Sequence, residues 1–190
     1  MGNNPSLMLQ AEEIEEIERE TGFSKNQILR LYSRFTNLDK SSSGSLAKDD
    51  FLRIPELAIN PLGDRIVSAF FTENGDEDRV NFRQFMRVLA RFRPIKRRKP
   101  GPLNSRDDKL QFAFSMYDLN NDGYITKDEL LTILQMMVGA NISNEQLQSI
   151  ADRTIVEADL DHDGKISLEE FKTAMEKTEI EQKMSIRFLH

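Results

Sequence analysis

Two acidic segments decide the fold of this sequence: DLNNDGYITKDE at residues 118–129 and DLDHDGKISLEE at residues 159–170. Each has oxygen-bearing side chains at its first, third and fifth positions, glycine at the sixth, an aliphatic residue at the eighth and glutamate at the twelfth. Ca²⁺ takes about 6 to 8 oxygen ligands, and a twelve-residue loop with this spacing can supply them. The glycine permits a sharp turn that residues with a Cβ disfavour. Both segments are therefore predicted to bind Ca²⁺.

The first half of the chain repeats this pattern in weaker form. Residues 39–50 keep Gly44 and Leu46 at the sixth and eighth positions, and residues 73–84 align by register with Val80 at the eighth. Apolar residues recur at helical spacing around these segments, which we number loops one to four in chain order. One helix-loop-helix unit cannot bury its apolar face alone, so the units should pair. The eighth residues should join short antiparallel strands between paired loops.

The predicted ligands are oxygen atoms of ten residues. They are Asp118, Asn120, Asp122, the Tyr124 carbonyl and Glu129 in loop three, and Asp159, Asp161, Asp163, the Lys165 carbonyl and Glu170 in loop four. A water held near the ninth residue, Thr126 or Ser167, adds a further oxygen. The alternative is a solvated acidic turn, in which clustered carboxylates would repel one another. We expect two Ca²⁺ ions per chain.

Loops one and two depart from the pattern. Loop one has Ser41 and Ser43 at the third and fifth positions and the shorter Asp50 at the twelfth. Loop two has glycine at the third position, aspartate at the sixth and Gln84 at the twelfth. We expect both to be structural, with weak residual binding at loop one left open.

Composition excludes several classes of function. The chain has 190 residues, a net charge of −6 and no cysteine, which rules out disulfides, cysteine nucleophiles and cysteine-based zinc sites. It shows no apolar run of about 18 residues and no secretory signal, so we expect a cytoplasmic protein. His162 lies in loop four and His190 is the last residue, and no catalytic motif accompanies them. We expect neither an enzyme nor a nucleic-acid-binding protein.

The predicted organisation has five parts. Residues 1–22 form an N-terminal segment with a short helix, residues 23–92 an N-lobe with loops one and two, and residues 93–104 a basic linker containing three prolines. Residues 105–177 form a C-lobe with loops three and four, and residues 178–190 a helical tail.

Two short motifs favour a membrane surface. Residues 1–6, MGNNPS, match the signal for N-myristoylation of Gly2, against the alternative of a plain disordered start. Lys96–Lys99 in the linker is a compact basic run, which a solvated linker would also explain. One acyl chain anchors weakly, so a myristate and a basic run together would hold the chain to anionic lipid. Nuclear targeting by the basic run is a weaker alternative.

Apolar residues of the C-lobe are candidates for a partner-binding groove. They are Leu134, Met137, Val138 and Met175, with ordinary core packing as the alternative. Flexible methionines suit a groove that accepts a partner helix. In the tail, Ile180, Met184 and Phe188 recur every four residues and form a stripe that either covers this groove or packs as core.

The four units resemble EF-hands, so the fold class we predict is all-α, with four EF-hand helix-loop-helix units in two lobes. Two weak hands before two intact ones, the phrase IPELAINPLG at residues 54–63 and the tail QKMSIRFLH at residues 182–190 are similar to the calcineurin B homologous proteins. The resemblance covers nearly the whole chain. Calcineurin B is similar in layout but has four working hands.

That resemblance implies an N-myristoylated, Ca²⁺-binding cofactor of plasma-membrane sodium/proton exchangers, which holds an amphipathic juxtamembrane helix of the exchanger. The implied location is cytoplasmic and peripheral at the plasma membrane, and other membranes remain open because family members are also linked to membrane traffic. The basic linker departs from the family pattern, so linker-specific functions are not carried over. The alternatives are a regulatory or inhibitory protein of a calcineurin-type phosphatase and a plain Ca²⁺ buffer.

Overall fold

A computed structural model describes residues 9–75, 78–94 and 101–179 of the chain. Its helices confirm the predicted all-α class. In the N-terminal half they are α1 (Ala11–Thr21), α2 (Lys25–Leu38), α3 (Lys48–Phe51), α4 (Pro55–Ala58), α5 (Gly63–Thr72) and α6 (Phe82–Ala90). In the C-terminal half they are α7 (Arg106–Tyr117), α8 (Lys127–Val138), α9 (Asn144–Ala158) and α10 (Leu168–Ala174), with a 3₁₀ turn at Gly139–Asn141. No helix among these is both long and apolar enough to cross a membrane.

Side-chain caps fix where the helices begin. At α9, Ser143 and Gln146 form a capping box, in which each side chain accepts a hydrogen bond from the other residue's backbone N–H, at 3.3 and 3.2 Å. Ser24, Asn81 and Ser105 cap α2, α6 and α7 in the same way. Each cap satisfies N–H groups that have no partner inside the helix.

Short strands join the loops in pairs, as predicted. Strand β1 (Ser45–Leu46) pairs with β2 (Val80–Asn81), and β3 (Tyr124–Thr126) pairs with β4 (Lys165–Ser167), both antiparallel. The eighth residues of paired loops face each other, Leu46 opposite Val80 and Ile125 opposite Ile166. All four of these side chains are buried. The pairing therefore makes each two-loop unit a single packed body.

The described residues form two apolar cores, one for each lobe. The N-lobe core is rich in phenylalanine and includes Phe23, Phe35, Phe51, Phe70, Phe71, Phe82 and Phe85. The C-lobe core includes Leu110, Phe114, Ile125, Leu130, Ala151, Ile155, Ile166 and Phe171. Helix α1 ends at Gly22, which has a left-handed φ of 69°, and its Ile17 is buried in the N-lobe core.

Helix α7 belongs to both cores. Leu110 and Phe114 pack in the C-lobe, whereas Phe112 is fully buried in the N-lobe core against Phe70 and Phe92. The buried Lys109 of α7 donates hydrogen bonds to the backbone carbonyls of Arg91 and Arg93, just beyond α6. The lobes are therefore packed against each other through α7.

Several sequence-based predictions fall outside the described residues. They concern the myristoylation site at Gly2, the basic run Lys96–Lys99 and the tail from Ile180 onward.

Candidate metal centre

Loop three begins where α7 ends, and its own backbone holds the first predicted ligand residue in place. The Asp118 carboxylate accepts hydrogen bonds from the N–H groups of Asp122 at 3.2 Å and Gly123 at 2.9 Å. Gly123 has a φ of 88°, the left-handed conformation predicted for the sixth position. The Asn120 and Asp122 side chains are linked by a 3.0 Å hydrogen bond. The three predicted side-chain ligands at the start of the loop are thus brought together.

Glu129 closes loop three from the opposite side. Its Oε1 accepts hydrogen bonds from the N–H groups of Leu119 and Asn120, at 3.0 and 3.3 Å, and so reaches across to the start of the loop. Its Oε2 accepts from the N–H and hydroxyl of Thr126, at 2.8 and 2.9 Å. Glu129 is therefore both the twelfth residue of the loop and the partner of the N-cap residue Thr126 in the capping box of α8.

Loop four repeats this arrangement nearly atom for atom. The Asp159 carboxylate accepts hydrogen bonds from the backbone N–H groups of Asp163 at 3.2 Å and Gly164 at 2.8 Å. The Glu170 carboxylate accepts hydrogen bonds from the N–H groups of Leu160 at 2.8 Å and Asp161 at 3.2 Å. Carboxylate oxygens of Asp159, Asp161 and Glu170 lie within 4.8 Å of one another. Ligands placed about 2.3–2.6 Å from one Ca²⁺ ion would be separated by distances of this order. The oxygen-only donor set fits a hard divalent cation.

The carboxylates of the two loops are held close together at an electrostatic cost. Burial raises the pKa of Asp118, and repulsion from Asp122 and Glu129 adds to the effect, although two backbone N–H groups oppose it. The Asp163 N–H opposes a rise in the pKa of Asp161, yet burial and the charges of Asp163, Glu170 and Asp159 raise it. A bound cation would relieve this repulsion.

Glu170 differs from these aspartates because it is surrounded by donors. The backbone N–H of Ser167 is the largest influence, and with the Ser167 hydroxyl and two further N–H groups it lowers the pKa of Glu170 to about 2. This carboxylate therefore stays ionised at physiological pH and is available to a cation.

Loop one has the same backbone shape but a different closing residue. Asp39 accepts from the N–H groups of Ser43 and Gly44, as the first aspartates of loops three and four do. Asp50 accepts from the Ala47 N–H at 2.9 Å and forms an ion pair with Arg53 at 3.1 Å. Among the described residues, no N–H group at the start of loop one donates a hydrogen bond to the Asp50 carboxylate.

In loop two the twelfth residue is Gln84, whose Oε1 accepts from the Asn81 N–H as a helix cap. Asp78 is exposed at the sixth position, and residues 76 and 77 lie outside the described part.

The predicted groove residues are not equivalent in the structure. Leu134 and Met175 pack against the C-lobe core, Val138 is partly buried, and Met137 is 50% exposed. Met136 at 41% and Ile150 at 43% are also exposed. An open cavity along the first half of α9 is lined by Ile142, Glu145, Gln146, Ser149 and Ile150. We call Met136, Met137, Ile142 and Ile150 the apolar patch. Of these four residues, only Met137 was predicted from the sequence, whereas the exposure of Met136 and Ile150 is a finding of the structure.

An arginine of the N-lobe contacts the end of α7 beside loop three. Arg65 of α5 donates from Nε to the Met116 carbonyl at 3.0 Å and from Nη2 to the carbonyls of Ser115 at 3.1 Å and Asp118 at 3.4 Å. Burial lowers the pKa of Arg65, and the charges of Asp118 and Glu129 oppose that shift. Sequence reasoning missed this residue because its partners are 50 to 53 positions away.

Comparison with known proteins supports a metal-binding role. Residues 107–176, which contain loops three and four, match the family described as an EF-hand domain pair. The chain is 48% identical to the calcineurin B subunit of Naegleria gruberi over 98% of this chain and 99% of that protein. It is 41% identical to the type 1 calcineurin B subunit of Dictyostelium discoideum and 40% identical to the calcineurin B subunit of Candida glabrata, over 99% of each chain.

Proposed function

The chain belongs to the calcineurin B-like family of EF-hand Ca²⁺-binding proteins, and we propose that it is the non-catalytic regulatory subunit of a calcineurin-type phosphatase. The observation that carries this proposal is the 48% identity to a calcineurin B subunit over 98% of the chain. It favours the phosphatase over the sodium/proton exchanger, which is the partner implied by the resemblance to the calcineurin B homologous proteins.

The proposed cofactor is Ca²⁺, bound by loops three and four. Asp118, Asn120, Asp122 and Glu129 supply side-chain oxygens in loop three, together with the Tyr124 carbonyl. The corresponding ligands of loop four are Asp159, Asp161, Asp163, Glu170 and the Lys165 carbonyl. Bound Ca²⁺ neutralises these carboxylates, and the loop backbone already orients them through hydrogen bonds from its N–H groups.

The proposed partner element is an amphipathic helix of the phosphatase catalytic subunit, held against the apolar patch. Met136, Met137 and Ile150 present apolar side chains to solvent beside the connection between α8 and α9. Methionine adapts its shape to a partner surface, and an amphipathic helix can bury its apolar face there. A plain Ca²⁺ buffer would not need such a patch.

One specific observation favours the exchanger as a second candidate. In loop one Asp50 is paired with Arg53, and in loop two Gln84 is a helix cap, so neither hand has the closing glutamate of a working site. Two inactive hands before two active ones resemble the calcineurin B homologous proteins more than calcineurin B itself. The partner would then be the juxtamembrane helix of a sodium/proton exchanger.

Membrane attachment is a further part of the proposal. It rests on the sequence motif at Gly2 and on Lys96–Lys99, which together would hold the chain at anionic lipid. The location that follows is cytoplasmic and peripheral at the membrane. Fractionation of cells that express Gly2→Ala tests it, because loss of acylation should move the protein to the soluble fraction.

A competition experiment separates the two partners. The full chain, with Ca²⁺ or with chelator, is mixed with a recombinant calcineurin-type catalytic subunit and with a synthetic exchanger juxtamembrane helix. We expect a Ca²⁺-dependent complex with the catalytic subunit on gel filtration, and Ca²⁺-stimulated phosphatase activity. Stable binding of the exchanger helix alone would overturn the phosphatase proposal in favour of the second candidate.

Substitutions in the patch provide the matched control. Met137→Glu places a charge in the patch and should weaken the complex at least about tenfold. Val156→Glu adds the same charge at a residue of α9 that is 76% exposed. Val156 lies roughly 120° around the helix from Ile150 and should leave binding unchanged. Equal losses from both substitutions would argue against the patch as the interface.

A further inference from the structure

Arg79, the seventh residue of loop two, extends into loop one. Its Nε donates a hydrogen bond to the Ser45 hydroxyl at 2.7 Å, and its Nη2 donates to the Ser43 hydroxyl and to the Ser45 carbonyl, each at 2.7 Å. The Ser43 side chain and the Ser45 carbonyl are the fifth- and seventh-position oxygens of loop one. In a working hand both positions bind the metal.

The rest of loop one already has the shape of a closed hand. Asp39 is bonded to the Gly44 N–H at 2.7 Å, Gly44 has a φ of 77°, and Leu46 pairs with Val80. The equivalent bonds and φ values occur in loops three and four. Loop one therefore adopts this shape while a guanidinium group, a cation of the chain itself, binds two of its ligand oxygens.

The C-lobe supplies an internal comparison. Lys165 is the seventh residue of loop four and thus corresponds to Arg79, but its Nζ lies 5.0 Å from the ring centroid of Tyr124. Tyr124 corresponds to Ser45. The tyrosine ring engages the lysine in a cation–π contact, whereas the small Ser45 lets Arg79 reach the loop oxygens. The cation at the seventh position of the second loop therefore binds oxygen atoms of the paired loop in the N-lobe and an aromatic ring in the C-lobe.

We propose that Arg79 is a built-in cation of loop one: its guanidinium group takes the Ser43 and Ser45 oxygens that Ca²⁺ would need, so the hand is closed without metal. Loop one then keeps one conformation at every Ca²⁺ concentration, and the binding of Ca²⁺ itself is confined to loops three and four. This inference concerns metal selectivity and does not depend on which partner the protein binds.

The experiment rebuilds the side-chain ligands of loop one and varies the arginine. Ser41→Asp, Ser43→Asp and Asp50→Glu are combined in the full chain, with Arg79 retained or changed to Gln. The matched control changes Arg30 to Gln in the same rebuilt chain, because Arg30 is an exposed arginine of α2 and the change in charge is identical. Ca²⁺ binding is measured by calorimetry, with loops three and four as internal references.

A third Ca²⁺ site is expected when Arg79 is replaced. With Arg79 retained, or with Arg30→Gln, that site should be absent or at least about tenfold weaker, because a positive group competes for the same oxygens. Equal affinity for a third ion with and without Arg79 would overturn the proposal. So would the absence of a third ion after Arg79→Gln, since the arginine would then not be what excludes it.

Hydrogen exchange in the otherwise native loop gives a second, independent test. In chelator, Arg79→Gln should speed amide exchange at Ser43–Ala47 several-fold, because loop one loses its cation, whereas Arg30→Gln should leave it unchanged. Unaltered exchange in the Arg79→Gln protein would show that the guanidinium group does not hold the loop. Neither test uses a partner protein, so failure here is distinct from failure of the proposed function.

Discussion

Glu170 and Asp50 occupy the same loop position and differ by one methylene group. Glu170 accepts a hydrogen bond from the Leu160 N–H at 2.8 Å and so spans its loop. Asp50 instead accepts a hydrogen bond from the nearby Ala47 N–H and forms an ion pair with Arg53. The sequence was sufficient to predict this difference, because it depends on side-chain length alone. Arg79 was not predictable in the same way, since it reaches Ser45 from 34 residues along the chain.

Replacing Glu170 with Gln should weaken Ca²⁺ binding to loop four by about tenfold or more, because one ligand charge is lost. Glu129→Gln should weaken loop three to a similar degree. Glu169→Gln is the control, because this neighbour is exposed and pairs with Lys172 outside the loop. Calorimetry of each full-length variant measures the affinities, and an equal loss in the Glu169 variant would contradict the assignment of Glu170 as a ligand.

Asp39 should stabilise loop one in a pH-dependent and Ca²⁺-independent manner. Burial raises its pKa, but the N–H groups of Gly44 and Ser43 and the hydroxyls of Ser41 and Ser43 more than offset this and hold the pKa below its usual value. A lowered folded-state pKa means that the stabilisation is complete above the unfolded value, about 3.9, and is lost as the pH falls through the folded value.

Asp39→Asn should therefore lower the free energy of unfolding by about 1–2 kcal/mol at pH 7, and the difference should shrink below about pH 3.9. Urea unfolding in chelator across this pH range is the measurement, with Asp49→Asn as an exposed control. A difference that persists unchanged at lower pH would show that the ionised carboxylate is not what stabilises the loop.

Among the helices, α7 shows most clearly what a pattern of apolar residues cannot predict, because it contributes side chains to both cores. Leu110, Phe114 and Tyr117 recur at helical spacing, as predicted for the residues around each loop, and they pack in the C-lobe core. Phe112 lies roughly 140–160° around the helix from these three residues, so it does not share their face. It is buried because the N-lobe packs against the opposite side of α7. The ring centroids of Phe70 and Phe92 lie 6.2 and 5.0 Å from that of Phe112. Such an arrangement depends on how the lobes meet and is not encoded in one helix.

Phe112→Ala should destabilise the protein by about 3–5 kcal/mol, because it removes a fully buried ring from its contacts with Phe70 and Phe92 and leaves a cavity. Chemical unfolding with and without Ca²⁺ measures the loss, and Met136→Ala, at an exposed position of α8, serves as control. Loops three and four should keep their Ca²⁺ stoichiometry. A loss below about 1 kcal/mol would indicate that α7 does not belong to the N-lobe core.

At the scale of the whole molecule, the two lobes are linked by cationic side chains that bind carbonyl groups at the ends of helices. Lys109 donates to carbonyls just past α6, and Arg65 donates to carbonyls at the end of α7. Positive groups are favourable there because the last carbonyls of a helix have no partner within it. The sequence predicted two lobes and a proline-containing segment between them. It could not predict their docking, because each of these contacts pairs a side chain with a distant backbone atom.

We expect Arg65 to make this docking sensitive to Ca²⁺, because one of its acceptors is the carbonyl of Asp118, the first predicted ligand residue of loop three. Ca²⁺ that fixes Asp118 should also order the end of α7 and, through the guanidinium group, α5 in the other lobe. Amide hydrogen exchange of α5 should therefore slow when Ca²⁺ is added to the native chain. In Arg65→Met that slowing should be largely lost, and the free energy of unfolding should fall by about 1.5–3 kcal/mol as charged hydrogen bonds are removed.

Arg30→Met, which removes an exposed arginine from α2, should retain the native response. If α5 responds to Ca²⁺ equally in both variants, the lobes communicate through the packing of α7 alone, and the arginine is only a helix cap.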